Sequence, residues 1–284
     1  MTLDNYRFPA QRLRRQQQDQ NRIPLVLVAC GSFSPITYLH LRMFELANDY
    51  ARINTDYEVV GGYLSPVSDA YKKAGLAPSV HRVRMCELAA EETSRWLMVD
   101  SWEAIQPDYM PTAKVLDHFE HEINGVLGGV LSADGRTRRP AKIMLLAGAD
   151  LIGTMSTPGV WAEKDLDHIL GSYGAMIIER SGTDMDDALA SLRPWENNIH
   201  VIDPNIQNNV SSTKIRLLVR RGLSIEYLIP EPVIRYISQN GLYAGENDGI
   251  RNTASDGSNV KGKQLVPESG CEDAQVQDKQ DTAQ

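Results

Sequence analysis

Six short apolar runs, at residues 25–30, 57–64, 96–100, 142–147, 173–179 and 198–202, alternate along this chain with longer stretches of helical spacing. A brief continuous apolar run suits a strand buried on both faces, whereas recurrence at i, i+3, i+4 and i+7 suits a helix with one apolar stripe. The helical patterns fall near 35–53, 79–94, 109–123, 184–192, 213–221 and 231–239. In the first of them Ile36, Leu39, Met43, Leu46, Ala47 and Tyr50 share a face, and Pro35 suits the first helical turn. Near the end, Gly222 after Arg220-Arg221 reads as a helix stop, and Ser224 as the cap of a further short helix. Strands that alternate with helices pair in parallel, because each crossover carries a helix back over one face of the sheet. The expected class is therefore α/β, a parallel sheet with helices on both faces, which binds ligands beyond the carboxyl ends of its strands.

With 284 residues, 42% of them hydrophobic and 23% charged, the chain can build one large α/β domain or two small ones. A net charge of −8 disfavours nonspecific binding of nucleic acid, so an anionic ligand must meet locally clustered Lys and Arg. Cys30, Cys86 and Cys271 are too few and too irregularly spaced for a disulfide scaffold or a Cys-based zinc site. They point to a reducing compartment, the cytoplasm or the nucleus or both. No apolar run approaches the roughly 18 residues of a membrane span, and the N-terminus lacks an apolar signal core. Residues 1–22, with Arg12, Arg14 and Arg15, read as a polar, solvated N-terminal arm, and 23–243 as the folded domain. An internal loop at 124–141 ends in Arg136, Arg138 and Arg139, a plain surface loop or a basic import patch. Residues 244–284 have the polar, non-aromatic composition of a disordered tail.

Two segments carry chemistry. Gly31-Ser32-Phe33-Ser34-Pro35-Ile36-Thr37-Tyr38-Leu39-His40 follows the first apolar run, and Val210-Ser211-Ser212-Thr213-Lys214-Ile215-Arg216 precedes a late helix. Each is a loop feeding a helix N-terminus, where unpaired amides and the positive dipole end favour anions. Gly31, lacking a Cβ, lets the backbone turn and approach a ligand. His40 on an apolar helix face suits a core position as well as a phosphate contact; its strand–turn–helix setting favours the contact. Two such sites suggest an enzyme that holds a polyphosphate from two sides.

The first segment is similar to the (H/T)xxH signature of the nucleotidyltransferase superfamily, and the second resembles its ISSTxxR signature. Together with Ser65-Pro66-Val67-Ser68-Asp69-Ala70-Tyr71-Lys72-Lys73 and Ala147-Gly148-Ala149-Asp150, they resemble the eukaryotic nicotinamide mononucleotide adenylyltransferases from about Leu25 to Tyr243. The resemblance implies a single Rossmann-like nucleotidyltransferase domain. It also implies transfer of AMP from Mg-ATP to nicotinamide or nicotinate mononucleotide, giving NAD or its deamido form and pyrophosphate.

Residue roles are carried over by position. His40, Arg216 and Lys73 are the implied catalytic groups. Gly31, Ser32, Phe33, Ser211, Ser212, Thr213 and Lys214 would join them around the ATP phosphates. Ser32, Phe33, Trp102, Thr112, Gly148, Asp150, Val160, Trp161, Arg180 and Asn208 would contact the pyridine nucleotide or NAD. An aromatic face can stack on a pyridinium, yet Trp102 and Trp161 suit a hydrophobic core equally. Mg²⁺ is expected to arrive with ATP, without protein metal ligands. The expected partners are the two substrates and further copies of the chain, with neither nucleic acid nor membrane.

The sequence departs from the family pattern at Tyr109, where members can carry Trp, at Pro204, where an acid can stand, and at Thr37 in the first position of the His signature. Gly257-Ser258-Asn259-Val260-Lys261-Gly262-Lys263 imitates a phosphate-binding P-loop, but Gln264 replaces the required hydroxyl and no strand precedes it. His118 and His121 can share a helix face, but no third ligand accompanies them. The rival readings are a different adenylyl- or cytidylyltransferase and a non-catalytic nucleotide-binding protein.

Overall fold

The structure is a computed structural model that describes residues 5–157, 159–180, 189–206 and 208–245. Strand β1 (Ile23–Gly31) leads into α1 (Tyr38–Asn54), β2 (Tyr57–Pro66), α2 (Ser79–Thr93) and β3 (Leu97–Val99). Helix α3 (Thr112–Glu120) continues as wider π-type turns over His121–Val126 and is followed by a small hairpin, β4 (Val130–Leu131) and β5 (Arg138–Arg139). Then come β6 (Lys142–Gly148), α4 (Ala149–Met155), α5 (Glu163–Leu166), β7 (Ala175–Ile178), β8 (Ile199–Ile202), α6 (Ser212–Arg220) and α7 (Glu231–Gln239). The main sheet has the order β3-β2-β1-β6-β7-β8. Every pairing in it is parallel.

The expected α/β class is what forms, and each of the apolar runs becomes a strand of this sheet. Along β1, Val26 and Val28 enter one core while Leu25, Leu27 and Ala29 enter the other. Along β6, Ile143, Leu145 and Ala147 face the first core and Met144 and Leu146 the second. A strand buried on both faces must be apolar throughout, which is why the sequence shows runs rather than alternation. The first core is closed by α3, through Val115, Leu116 and Phe119, and by Ile152 of α4. The second is closed by α1, α2, α6 and α7. The chain leaves β1 toward β2 and β3, then returns to the other side of β1 with β6. The crevice between β1 and β6 is therefore a topological switch point.

Several expectations are corrected. Helix α1 starts at Tyr38, with Thr37 as its N-cap, so Pro35 lies in the preceding loop and not in the first turn. Its buried stripe is Leu41, Phe44, Ala47 and Ala51, with Leu46 beside it. Leu39 and Met43 sit at the crevice instead. Ile36, Leu46 and Ala47 of the expected face are in the second core, and Tyr50 packs against it; Leu39 and Met43 are apolar because they line the cleft.

The N-terminal arm is not solvated. Leu13 and Gln17 are buried. The Arg12 guanidinium donates to the carbonyls of Ala90, Ser94 and Leu97 at 2.9, 2.8 and 3.1 Å, clamping the end of α2 to β3. Tyr6 donates to Asp100 Oδ1 at 2.8 Å, and Arg14 pairs with Glu58. Polar composition misled because this segment docks by a few apolar side chains, Phe8, Ala10 and Leu13, together with long polar ones that reach backbone carbonyls.

Arg138 and Arg139 of the 124–141 loop likewise hold chain segments, with Arg139 Nη1 donating to Gln20 O at 2.8 Å. Gly222, at φ 65°, follows α6 as expected. Ser224 caps no helix; its hydroxyl accepts the Glu226 amide within a turn. The expected helix 184–192 falls largely outside the described residues, as do the P-loop imitation, Cys271 and the tail from 246 onward. Among the described residues, no helix is long and apolar enough to cross a membrane.

Candidate active site

A cleft of about 450 Å³ opens at the carboxyl ends of β1, β6 and β7. Its walls bring together Gly31, Ser32, Phe33, His40, Lys73, Gly148, Asp150, Arg180, Asn208, Ser211, Ser212, Thr213 and Arg216. The N-termini of α1 and α6 both face it, so two sets of helix-start amides and two positive dipole ends converge on one space.

The loop feeding α1 is tightly built. Phe33 adopts φ 42° and is buried. A Cβ on Gly31 would stand 3.0 Å from the tip of the Phe33 ring, so the glycine makes room for that ring rather than for a ligand alone. This modifies the expected role of Gly31. The ring then meets His40 edge-on, with centroids 5.2 Å apart.

His40 occupies the third residue of α1, a place where Glu or Gln often reaches back to the cap amide. Its Nδ1 accepts the Thr37 backbone N–H at 3.0 Å. The ring proton therefore sits on Nε2, on the side of the cleft. Burial lowers its pKa to about 4. His40 is thus a neutral, pre-aimed hydrogen-bond donor at neutral pH.

The two loops are stitched together. Ser212 Oγ donates to Pro35 O at 2.8 Å, and Arg216 Nη1 donates to Ser34 O at 2.8 Å. Ser34 Oγ also accepts the Ala77 amide and shares a hydrogen bond with Tyr243. Ser211 is the N-cap of α6, its hydroxyl accepting the Lys214 amide at 3.3 Å. Arg216 Nη2 reaches Thr213 Oγ1 at 3.3 Å, while its buried Nε has no partner among the described residues. Burial, with the like charge of Arg220 adding to it, lowers the Arg216 pKa.

Lys214 is not part of the cleft wall: its Nζ donates to Asn209 O at 2.8 Å and its side chain is exposed. At the far lobe, Gly148 is the N-cap of α4 and Asp150 Oδ2 pairs with Arg180 Nη1 at 3.0 Å. That pair is internally neutral, which suits hydroxyl groups better than a phosphate.

Trp102 and Thr112 are not among the residues lining the cleft. Trp102 lies flat on His118, centroids 4.2 Å apart, and packs against the first core. Thr112 begins α3. Val160 is exposed. Trp161 borders the cleft indirectly, donating its Nε1–H to the hydroxyl of Thr154, which lines it. Tyr109 stacks on Tyr71 with centroids 6.0 Å apart.

Sequence reading missed Arg42, which lines the cleft, and Arg82. Arg82 of α2 is fully buried and donates to Ala77 O, Val67 O and Ser32 O at 2.8, 2.7 and 3.2 Å. One guanidinium thus fixes the first anion loop, the end of β2 and the loop that carries Lys73. Nothing in the sequence marks this arginine off from a solvated one on the same helix.

A buried acid pair lies behind the cleft. Ser65 Oγ donates to Glu103 Oε2 at 2.6 Å. Burial raises the Glu103 pKa to about 8, and the nearby Asp100 adds to the shift. Among the described residues, no group of three or more His, Cys, Asp and Glu is placed to hold a metal ion.

Residues 28–218 match the cytidylyltransferase-like family. The chain is 40% identical over 261 residues to nicotinamide/nicotinic acid mononucleotide adenylyltransferase 1 of Bos taurus, covering 81% of this chain and 92% of the bovine protein. This chain belongs to the nicotinamide/nicotinic acid mononucleotide adenylyltransferase family. Within that family it is 58% identical over 244 residues to the Schizosaccharomyces pombe protein and 55% identical over 253 residues to protein 2 of Saccharomyces cerevisiae. The matches cover 85% and 88% of this chain but only 66% and 64% of those two relatives. A solved structure, Plasmodium falciparum nicotinic acid mononucleotide adenylyltransferase complexed with APC, shares the fold with TM-score 0.55 and 19% identity. It covers 78% of this chain and 98% of its own.

Proposed function

We propose that this family member transfers the adenylyl group of Mg-ATP to nicotinamide mononucleotide, and to its nicotinate counterpart, forming NAD or deamido-NAD and pyrophosphate. The observation that carries the reading is the convergence of the α1 and α6 N-termini on one cleft, with His40 and Arg216 on its wall. The names of the relatives supply the acceptor.

In this reading a phosphate oxygen of the mononucleotide attacks the α-phosphorus of ATP. One P–O bond forms as the bond to the β-phosphate bridge oxygen breaks, and pyrophosphate carries off the electron pair. The attacking phosphate is already ionised, so no base and no covalent enzyme intermediate are required. Catalysis then rests on positioning and on donors aimed at developing charge. Neutral His40 offers Nε2–H toward the reacting phosphate, and protonation of an imidazole is not part of the step. Lys73 and Arg216 offset charge on the departing pyrophosphate, with the amides at Ser211–Thr213.

The far lobe takes the pyridine nucleotide, with Gly148 and Asp150 at ribose hydroxyls and Trp161 at its edge, while Asn208 approaches the adenosine. Mg²⁺ bound to ATP would supply charge neutralisation on the polyphosphate.

Acceptor profiling tests the reading. With ATP, nicotinamide mononucleotide should yield NAD and pyrophosphate in equal amounts, and chelation of Mg²⁺ should stop both. Reaction only with CTP, or only with a different phosphorylated acceptor, overturns it.

A further inference from the structure

Lys73 stands on the wall of the cleft, in the loop between β2 and α2 whose residues 71–75 are all exposed. Behind that loop lies a second hollow of about 260 Å³, bordered by Tyr71, Lys72, Leu76 and Pro78. Lys73 lines both spaces and so forms part of the partition between them. Its own backbone bond is local, from the Lys73 amide to Tyr71 O at 2.9 Å. A segment with open space on either side has little packing to hold its shape, so its position is set where it is tied down.

The buried residues Val67 and Ala77 anchor the flanks, their amides donating to Gly31 O and Ser34 Oγ. Between them, Ser68 and Tyr71 reach Asp108 O and Tyr109, and the Asp69 carboxylate makes three bonds at once. Asp69 Oδ1 accepts the Ser79 amide at 2.7 Å and Oδ2 the Ser79 hydroxyl at 2.8 Å. The entry of the loop is thereby joined to the first residue of α2, closing the base of the loop. Oδ1 also accepts Arg82 Nη2 at 3.2 Å, and the same buried guanidinium reaches Ser32 O from its Nη1. Asp69, Arg82 and Ser32 therefore link the lysine loop to the loop that opens α1. The Asp69 side chain is 59% exposed, a setting in which ionic pairing contributes little to overall stability. The tie orders an exposed loop, which entropy opposes, and adds no apolar burial of its own. What it secures is the place of Lys73.

We propose that Asp69 is a positioning residue for adenylyl transfer: by closing the base of the lysine loop it holds Lys73 at the cleft, where Lys73 offsets charge on the departing pyrophosphate. This deepens the adenylyl-transfer reading and rests on it for the role of Lys73.

The test is a double-mutant cycle in the full chain, with kinetics and limited trypsin digestion as separate readouts. Asp69→Ala should lower kcat about tenfold, the scale of losing a charged tie that orients a reacting group, while the mononucleotide KM stays within about twofold. In a Lys73→Ala background the same substitution should change kcat by less than about twofold, because Asp69 acts through the lysine. Asp69→Asn, which keeps an acceptor for the Ser79 amide, should recover part of the loss. Without substrates, cleavage after Lys72 and Lys73 should be about tenfold faster in Asp69→Ala than in wild type, with cleavage elsewhere unchanged. Equal losses of kcat with and without Lys73 overturn the proposal, as does wild-type kcat or wild-type loop cleavage in Asp69→Ala. If Asp69→Ala does not fold, Asp69→Asn carries the same cycle and the same outcomes with a smaller loss. If the wild-type chain makes no NAD but loop cleavage still depends on Asp69, the tie stands and the adenylyl-transfer reading falls.

Discussion

At the residue scale, His40 is constrained more than a phosphate ligand needs to be. Its Nδ1 is occupied by the Thr37 amide, its ring edge by Phe33, and burial holds it neutral. A donor fixed this way needs no reorganisation when charge develops. His40→Ala should lower kcat by about a hundredfold or more with a smaller change in ATP binding, measured by steady-state kinetics and calorimetry. The folded-state pKa of about 4 lies below the ordinary imidazole value. His40 therefore favours the fold fully above the unfolded pKa of roughly 6.5 and progressively less as pH falls toward 4. Denaturant titrations of wild type and His40→Asn between pH 4 and 7 should show this acid-side loss in wild type alone.

Glu103 behaves oppositely. Its folded pKa, raised to about 8, means that its contribution is fully present below the ordinary carboxylate pKa of 4.5 and is lost progressively as pH rises from there to 8. Glu103→Gln keeps an acceptor for Ser65 and removes the ionisation. The variant should match wild type near pH 4 and exceed it by a growing margin as pH rises toward 8, as read by thermal melts across pH. The cleft positions of His40 and Arg216 were legible in sequence because both lie in helix-start segments that resemble known signatures. Ser34, Arg82 and Glu103 were not, because buried hydrogen bonding to distant carbonyls and hydroxyls leaves no local pattern.

At the element scale, strands were legible because double-sided burial writes a continuous apolar run, and parallel order followed from the alternation with helices. The stripe of α1 was read correctly at Leu46 and Ala47 and misread at Leu39 and Met43, which face the cleft, because a cleft selects apolar residues as a core does. The start of α1 was misplaced because Pro35 suits a first helical turn but here belongs to the loop that Ser212 clasps. That clasp is a single hydroxyl joining the two anion loops. Ser212→Ala should cost about 1 kcal/mol by denaturant unfolding. If the loops act as one site, it should also raise the ATP KM. A stability loss with kinetics unchanged would separate the clasp from the chemistry.

At the scale of the whole molecule, the N-terminal segment is an outer strap across the sheet and not an appendage. It joins the end of α2, β3 and the Asp100–His118 pair on which Trp102 rests. Leu13 is its apolar anchor, 5% exposed. Leu13→Ala should lower unfolding free energy by about 2–5 kcal/mol, the range for truncating a buried leucine. A change under about 0.5 kcal/mol would show that the strap is not part of the cooperative unit. Composition could not reveal the strap, since its partners are backbone carbonyls supplied by segments far along the chain.

The central claim is that the two helix-start loops form one site for adenylyl transfer. The most direct measurement is a single-turnover reaction of excess purified protein with Mg-ATP and nicotinamide mononucleotide, following NAD and pyrophosphate together. Equal and simultaneous formation of both, suppressed alike in His40→Ala and Arg216→Ala, is the predicted result. Pyrophosphate release without NAD, or NAD formation that survives both substitutions at the wild-type rate, would contradict it.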